Sequence, residues 1–210
     1  MNKLYGENSK FVFYGSKVWD LMYLNVLAIL CALPIVTLGP SLTAMHYVLL
    51  RIYRDQDCGI SRDFFHAFRR DFLPASLTGL IYLAVGAALA FDYLAVIRTG
   101  MITGKIYLIL FYIIVFLYLF SLTWVFVLLS RYRETVVSLI RDSFLLGTGY
   151  LFYTLLMMAL TLFPLILLAL FPRLLPVILL FCLAGSGFLQ AMIYSRVFQH
   201  CESVDNRQAS

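Results

Sequence analysis

Charge is scarce in this sequence. Of 210 residues only 13% are Asp, Glu, Lys or Arg, against roughly 25% in a soluble domain, while 62% are hydrophobic. So few charges cannot cover a water-facing surface of this size, which excludes an ordinary soluble globule and makes lipid part of the solvent. A mean hydropathy of +0.90 agrees. Cysteine is sparse too: Cys31, Cys58, Cys182 and Cys201 show no CxxC spacing, and Cys31 and Cys182 read as small apolar residues inside apolar runs. The histidines, His46, His66 and His200, are scattered and lack the ligand spacing of a zinc site. There is no G-x-x-x-x-G-K-[ST] loop, no HExxH and no G-x-S-x-G, and the "GSG" at 185–187 is too short and sits in an apolar run. The reading is therefore of a non-enzymatic protein with no catalytic residue, cofactor or metal.

What is present is apolar length. Five stretches, 21–50, 72–91, 106–130, 143–172 and 174–195, contain no Asp, Glu, Lys or Arg. A helix needs roughly 20 mostly apolar residues to cross the hydrocarbon core. The expected fold is all-α, a polytopic transmembrane bundle in a single domain over 1–210. Full spans are expected at 18–38, 73–97, 106–130, 149–171 and 175–195, with a short buried or re-entrant helix at 41–53 and an interfacial amphipathic helix at 60–72. No cleavable signal peptide is evident, because Lys3, Lys10 and Lys17 precede a first apolar run too long for a signal sequence.

Orientation follows from Lys and Arg, which cytoplasmic loops concentrate. With single crossings, Arg51, Arg54, Arg62, Arg69, Arg70, Arg131, Arg133, Arg141, Arg196 and Arg207 fall on one side, and Arg98, Lys105 and Arg173 on the other. That places the arginine-rich elbows and the C-terminus in the cytoplasm. The N-terminal run at 21–50 is too long for one span and too short for two. It is broken by Pro34 and by "TLGPSL", where Gly39 and Pro40 form a structural hinge between a span and a returning helix. That reading keeps the N-terminus cytoplasmic with its three lysines. The alternative, one kinked helix or a span plus an interfacial piece, puts the N-terminus outside. A short helix that does not span must be buried against its neighbours, and the small residues Gly39, Ser41, Thr43 and Ala44 suit close packing.

The stretch "GISRDFFHAFRRDFLPASL" closes the first elbow. On a helix, Ile60, Phe64, Phe65, Phe68 and Phe72 share an arc of about 140°. Arg62, Asp63, His66, Arg69 and Arg70 face the other way. Such a helix lies in the interface with Phe64, Phe65, Phe68 and Phe72 as anchors and Arg62, His66, Arg69 and Arg70 toward lipid headgroups or a protein partner. Burying four phenylalanines contributes on the order of 6–12 kcal/mol gross, and anionic lipid adds roughly 1 kcal/mol per basic residue. Nucleic acid is not an expected partner, since the basic balance comes from topology-setting arginines.

The segment "PIVTLGPSLTAMHYVLLRIYRDQDCGISRDFFHAFRRDF" resembles the YesL-like bacterial membrane proteins, a family classed as a domain of unknown function. Thr37, Gly39, Pro40, Asp63, Phe64, Phe65 and Phe68 occupy the places of its T-x-G-P turn and D-F-F-x-x-F element. The resemblance implies a bacterial cytoplasmic membrane and no catalytic or ligand residues. It further implies a setting beside carbohydrate uptake systems of the ATP-binding-cassette type. The leading expectation is an accessory to such a system, with its subunits and the lipid bilayer as partners. The alternative is a small permease or channel-like transporter, for which the intramembrane polar candidates are Asn25, Asp92 and Gln190, with His46 beside them. Asp92 lies six residues before Arg98, which puts it near the outer interface. Asn25 and Gln190 suit hydrogen bonds between helices.

Overall fold

A computed structural model describes residues 3–54, 59–99, 105–131, 136–171, 173 and 183–208. Its elements are helices α1 (Lys3–Ala32), α2 (Leu38–Tyr53), α3 (Ile60–Arg70), α4 (Phe72–Thr99), α5 (Lys105–Arg131), α6 (Val136–Gly149), α7 (Leu151–Leu170) and α8 (Leu183–Gln208), with a 3-10 turn at Ile35–Thr37. The all-α expectation holds among the described residues.

Among the described residues four helices are long and apolar enough to cross a membrane: Ile35–Tyr53, Phe72–Val96, Tyr107–Arg131 and Leu151–Leu170. Three coincide with the spans expected at 73–97, 106–130 and 149–171. The other is the segment expected as the short helix at 41–53. The span expected at 18–38 is not formed as one element. Helix α1 stops at Ala32, Pro34 is extended, and the chain turns through Ile35–Thr37. The hydroxyl of Tyr23 meets that of Ser61 at 2.7 Å, so this turn of α1 lies level with the start of α3. From Tyr23 to Ala32 a helix rises only about 14 Å, well short of the hydrocarbon thickness. The span expected at 175–195 overlaps α8 only from Leu183, and 174–182 lie outside the described residues.

Helix α2 holds the centre, packed against α1, α3, α4, α5 and α8. Gly39, Pro40, Ser41, Thr43, Ala44, Met45, His46, Val48, Leu49, Leu50 and Ile52 are all buried. The local sequence explains how the helix starts. Pro34 ends the preceding extended step, and Thr37 donates both its hydroxyl and its backbone N–H to the Pro34 carbonyl, at 2.7 and 3.0 Å. Pro40 lies in the first turn of α2, where a backbone N–H has no intrahelical acceptor and its absence costs nothing. Gly39 and Pro40 are thus inside the helix, and the change of direction expected at them occurs earlier, at 33–37. The task of Gly39 is close approach. A Cβ there would stand 2.0 Å from the Ala75 carbonyl oxygen of α4. The Ser41 hydroxyl donates to the Ala28 carbonyl at 2.7 Å and locks α2 against α1.

Helices α3 and α4 are joined through the single residue Asp71. The Asp71 N–H donates to Ala67 O and the Ala75 N–H to Asp71 O, both at 3.0 Å, so the ladder continues across the joint. Pro74 supplies no N–H there, which frees the Arg70 carbonyl and explains why the break falls at that point. Polar side chains tie the spans together elsewhere. The indole N–H of Trp124 (α5) donates to Thr154 Oγ1 (α7) at 2.9 Å, and Tyr194 (α8) donates to the His46 carbonyl at 3.1 Å. In an apolar medium such bonds contribute about 0.6 kcal/mol on average. The far half of α4 and the first half of α5 face outward, with Leu83, Phe91, Ile109, Leu110 and Tyr112 exposed.

The α2–α4 crossing generates a stability prediction. Gly39→Ala is expected to cost about 1–3 kcal/mol by overpacking against backbone that cannot yield. Gly185→Ala, with nothing within 4 Å of the added carbon, should be neutral or slightly stabilising. Thermal unfolding of both variants in detergent checks the contrast; equal midpoints would remove the packing argument.

Candidate functional site, an arginine-lined end of the bundle

The chemistry-bearing residues gather at one end of the bundle. The last turns of α2 and α5, the joint of α3 with α4 and the outer face of α3 all meet there. Tyr47, Arg51 and Arg54 follow one another at helical spacing along α2 and present a single stripe. Two cavities open on either side of that stripe. The first, about 430 Å³, is lined by Tyr47, Leu50, Arg51, Arg54, Arg70, Ser130 and Arg131. The second, about 490 Å³, is lined by Tyr47, Arg51, Gly59, Arg62, Asp63 and His66.

Packing of α3 onto α2 sets the separation between these groups. Phe64 and Ala67 are buried, at 0% and 1% exposure, and Phe64 joins the core with Leu49 and Ile52. The interfacial-anchor expectation therefore changes. Phe64 points into protein because α2 and α1 claim that face, Phe68 and Phe72 are half-buried, and only Phe65 is exposed. The rings still form a run: Phe64 stacks on Phe68 at 6.0 Å and Phe68 meets Phe72 at 5.7 Å.

Two of the arginines have carboxylate partners. Arg51 pairs with Asp63 at 2.8 Å, the two side chains being 28% and 16% exposed. Arg70 forks onto Asp71, with Nε 2.9 Å from Oδ2 and 3.0 Å from Oδ1, and donates from NH2 to the Ser130 carbonyl at 3.3 Å. The hydrogen bond to Asp71 raises the Arg70 pKa above its ordinary value, so its charge is fixed. Its guanidinium also lies over the Tyr47 ring at 5.1 Å, while that of Arg131 lies over Phe198 at 4.5 Å. Arg54 and Arg62 are exposed and have no carboxylate within ion-pair distance among the described residues. The first cavity thus holds four arginines, of which Arg51 and Arg70 pair with aspartates.

The structure brings some of the expected site residues together and separates others. Arg62 and His66 line the second cavity and Arg70 the first, whereas Arg69 is exposed and lines neither. The polar residues of the spans are dispersed. Gln190 is buried and donates to Thr161 Oγ1 at 2.9 Å and Met157 O at 3.4 Å, bonds that join α8 to α7. Asn25 is buried at 1% exposure on α1. Asp92 is exposed and accepts from the Tyr107 hydroxyl at 2.5 Å across the α4–α5 hairpin, far from the arginines. Sequence reasoning used Arg51, Arg54 and Arg131 only to orient the chain and passed over Tyr47 and Ser130. The Tyr47–Arg51–Arg54 spacing was the available signal, but which helix ends converge on it is a tertiary fact.

These features define a helical membrane protein with a basic, cavity-bearing end. Within it, residues 21–93 match a family described as "Protein of unknown function, DUF624". The matched stretch holds most of the α1–α2 hairpin, all of α3 and most of α4, including the Gly39 crossing and the arginines from 51 to 70. No curated protein and no solved structure matches the chain.

Asp63→Asn leaves the half-buried Arg51 without its carboxylate and is expected to cost about 1–3 kcal/mol. Asp142→Asn, whose partner Arg141 is 73% exposed at 3.3 Å, should cost under about 0.5 kcal/mol. Paired thermal unfolding curves check the difference, and equal losses would show that Asp63 carries no special weight.

Proposed function

We propose that the chain is a non-enzymatic accessory protein of the bacterial cytoplasmic membrane that docks, through its arginine-rich cytoplasmic end, onto a carbohydrate uptake system of the ATP-binding-cassette type. The observation that supports docking is the fixation of α3. Phe64 pins the helix to α2, so the outward charges of Arg62, His66 and Arg69 form a rigid surface rather than a floating arm. The carbohydrate setting is supported by the resemblance to the YesL-like proteins alone. The accessory reading is preferred to a permease because α2, Trp124 and Tyr194 fill the middle of the bundle, where a substrate path would have to run. Gln190 serves helix packing and Asp92 sits near the far end, hydrogen-bonded to Tyr107.

The test is co-recovery of transport subunits from native membranes. Arg62→Gln with Arg69→Gln, both exposed, should leave the membrane level of the protein unchanged and reduce co-recovery at least about fivefold. Arg70 is left intact because it holds Asp71. Undiminished recovery would sink the docking reading. In proteoliposomes the wild type and Asp92→Asn should both lack sugar uptake; uptake lost on that substitution would establish the permease instead.

A further inference from the structure

We propose that the first cavity is a binding site for a phosphate ester, held by the guanidiniums of Arg51, Arg54, Arg70 and Arg131 over the Tyr47 ring and beside the Ser130 carbonyl. A cavity of about 430 Å³ is of the size that takes a small organophosphate or the headgroup of a phospholipid. The helix ends explain part of the charge. Arg51 lies in the last turn of α2 and Arg131 in the last turn of α5, where a cation offsets the negative end of the macrodipole. Arg54, the C-cap of α2, shares that dipole and is exposed on the cavity wall, with no carboxylate partner among the described residues.

Geometry favours phosphate over a carboxylate or a neutral sugar. Asp71 fixes Arg70 by its Nε and NH2 edge, which pre-orients the fork, and the Tyr47 ring supports its face. Arg51 meets Asp63 through a single Nη1 contact at 2.8 Å. Guanidiniums arriving from three helices, with Arg70 offering the Nη1 donors that Asp71 and the Ser130 carbonyl leave over, suit a tetrahedral acceptor with several oxygens. Phosphate ester is the shared chemistry of two sources, a free organophosphate in the aqueous phase and an anionic lipid at the leaflet surface.

This inference rests on the reading that this end is the working surface. Ligand binding is measured on the isolated chain and docking on co-recovery, so either can fail alone. Full-length protein in neutral detergent is titrated with glycerol 3-phosphate against glycerol. Separately, it is placed in nanodiscs of phosphatidylcholine with or without phosphatidylglycerol. Binding is read by calorimetry and by thermal midpoint. Either glycerol 3-phosphate or phosphatidylglycerol is expected to raise the midpoint saturably, and the arm that responds identifies the source. Arg54→Glu should weaken that response at least about tenfold, and Arg54→Lys should restore part of it. Arg141→Glu makes the same charge change on a residue lining neither cavity and should leave the response intact. The ligand-free midpoint of Arg54→Gln should match wild type, which keeps the loss from being one of folding. No response in either arm, or an equal loss in Arg141→Glu, would overturn the proposal.

Discussion

Where α2 crosses α4, two backbones meet with no side chain between them. A methyl group on Gly39 would collide with the Ala75 carbonyl, and the Cα of Gly79 lies 3.4 Å from the same point. Everything central depends on that approach. It admits a short helix into the interior, where its flanks are taken by α1, α3, α5 and α8. Small residues serve this purpose in membranes, where dispersion and a few hydrogen bonds replace the hydrophobic effect between helices. Widening the crossing by one carbon would separate α2 from α4 and disturb the alignment of α3, which is continuous with α4.

The arginine-rich end follows from the same placement. Because α2 runs antiparallel to α3, Arg51 meets Asp63 and Tyr47 meets Arg70. Each contact fixes a cation that would otherwise swing freely in the interface. The aspartates pair with Arg51 and Arg70, and the aromatic rings of Tyr47 and Phe198 supply faces for Arg70 and Arg131. This end is therefore ordered as well as basic, which separates it from an ordinary topology-setting loop.

Much of the fold was legible because lipid imposes length. The apolar runs at 72–91 and 106–130 could be little else than spanning helices, and α4 and α5 cover them. The burial of Gly39, Ser41, Thr43 and Ala44 was legible from their size. The end of α1 at Ala32 was harder: Pro34 marked the break, but only the Tyr23–Ser61 contact shows how little of α1 lies beyond the elbow. Phe64 was misjudged for a related reason. A periodic apolar face says that something apolar covers it, and on a membrane protein that cover can be lipid or another helix; neighbouring α2 settled the matter. The arginine cavities were legible only as ingredients, since Ser130 lies sixty residues from Arg70 in sequence while both line one cavity.

The joint at Asp71 has a mechanical consequence. With main-chain bonds from Asp71 to Ala67 and from Ala75 to Asp71 bridging the joint, and the Arg70 carbonyl left open opposite Pro74, α3 is a handle on α4 rather than a paddle on a string. A push against its charged outer face is borne by the membrane-crossing rod itself, and the proline notch three residues on sets where that rod would bend.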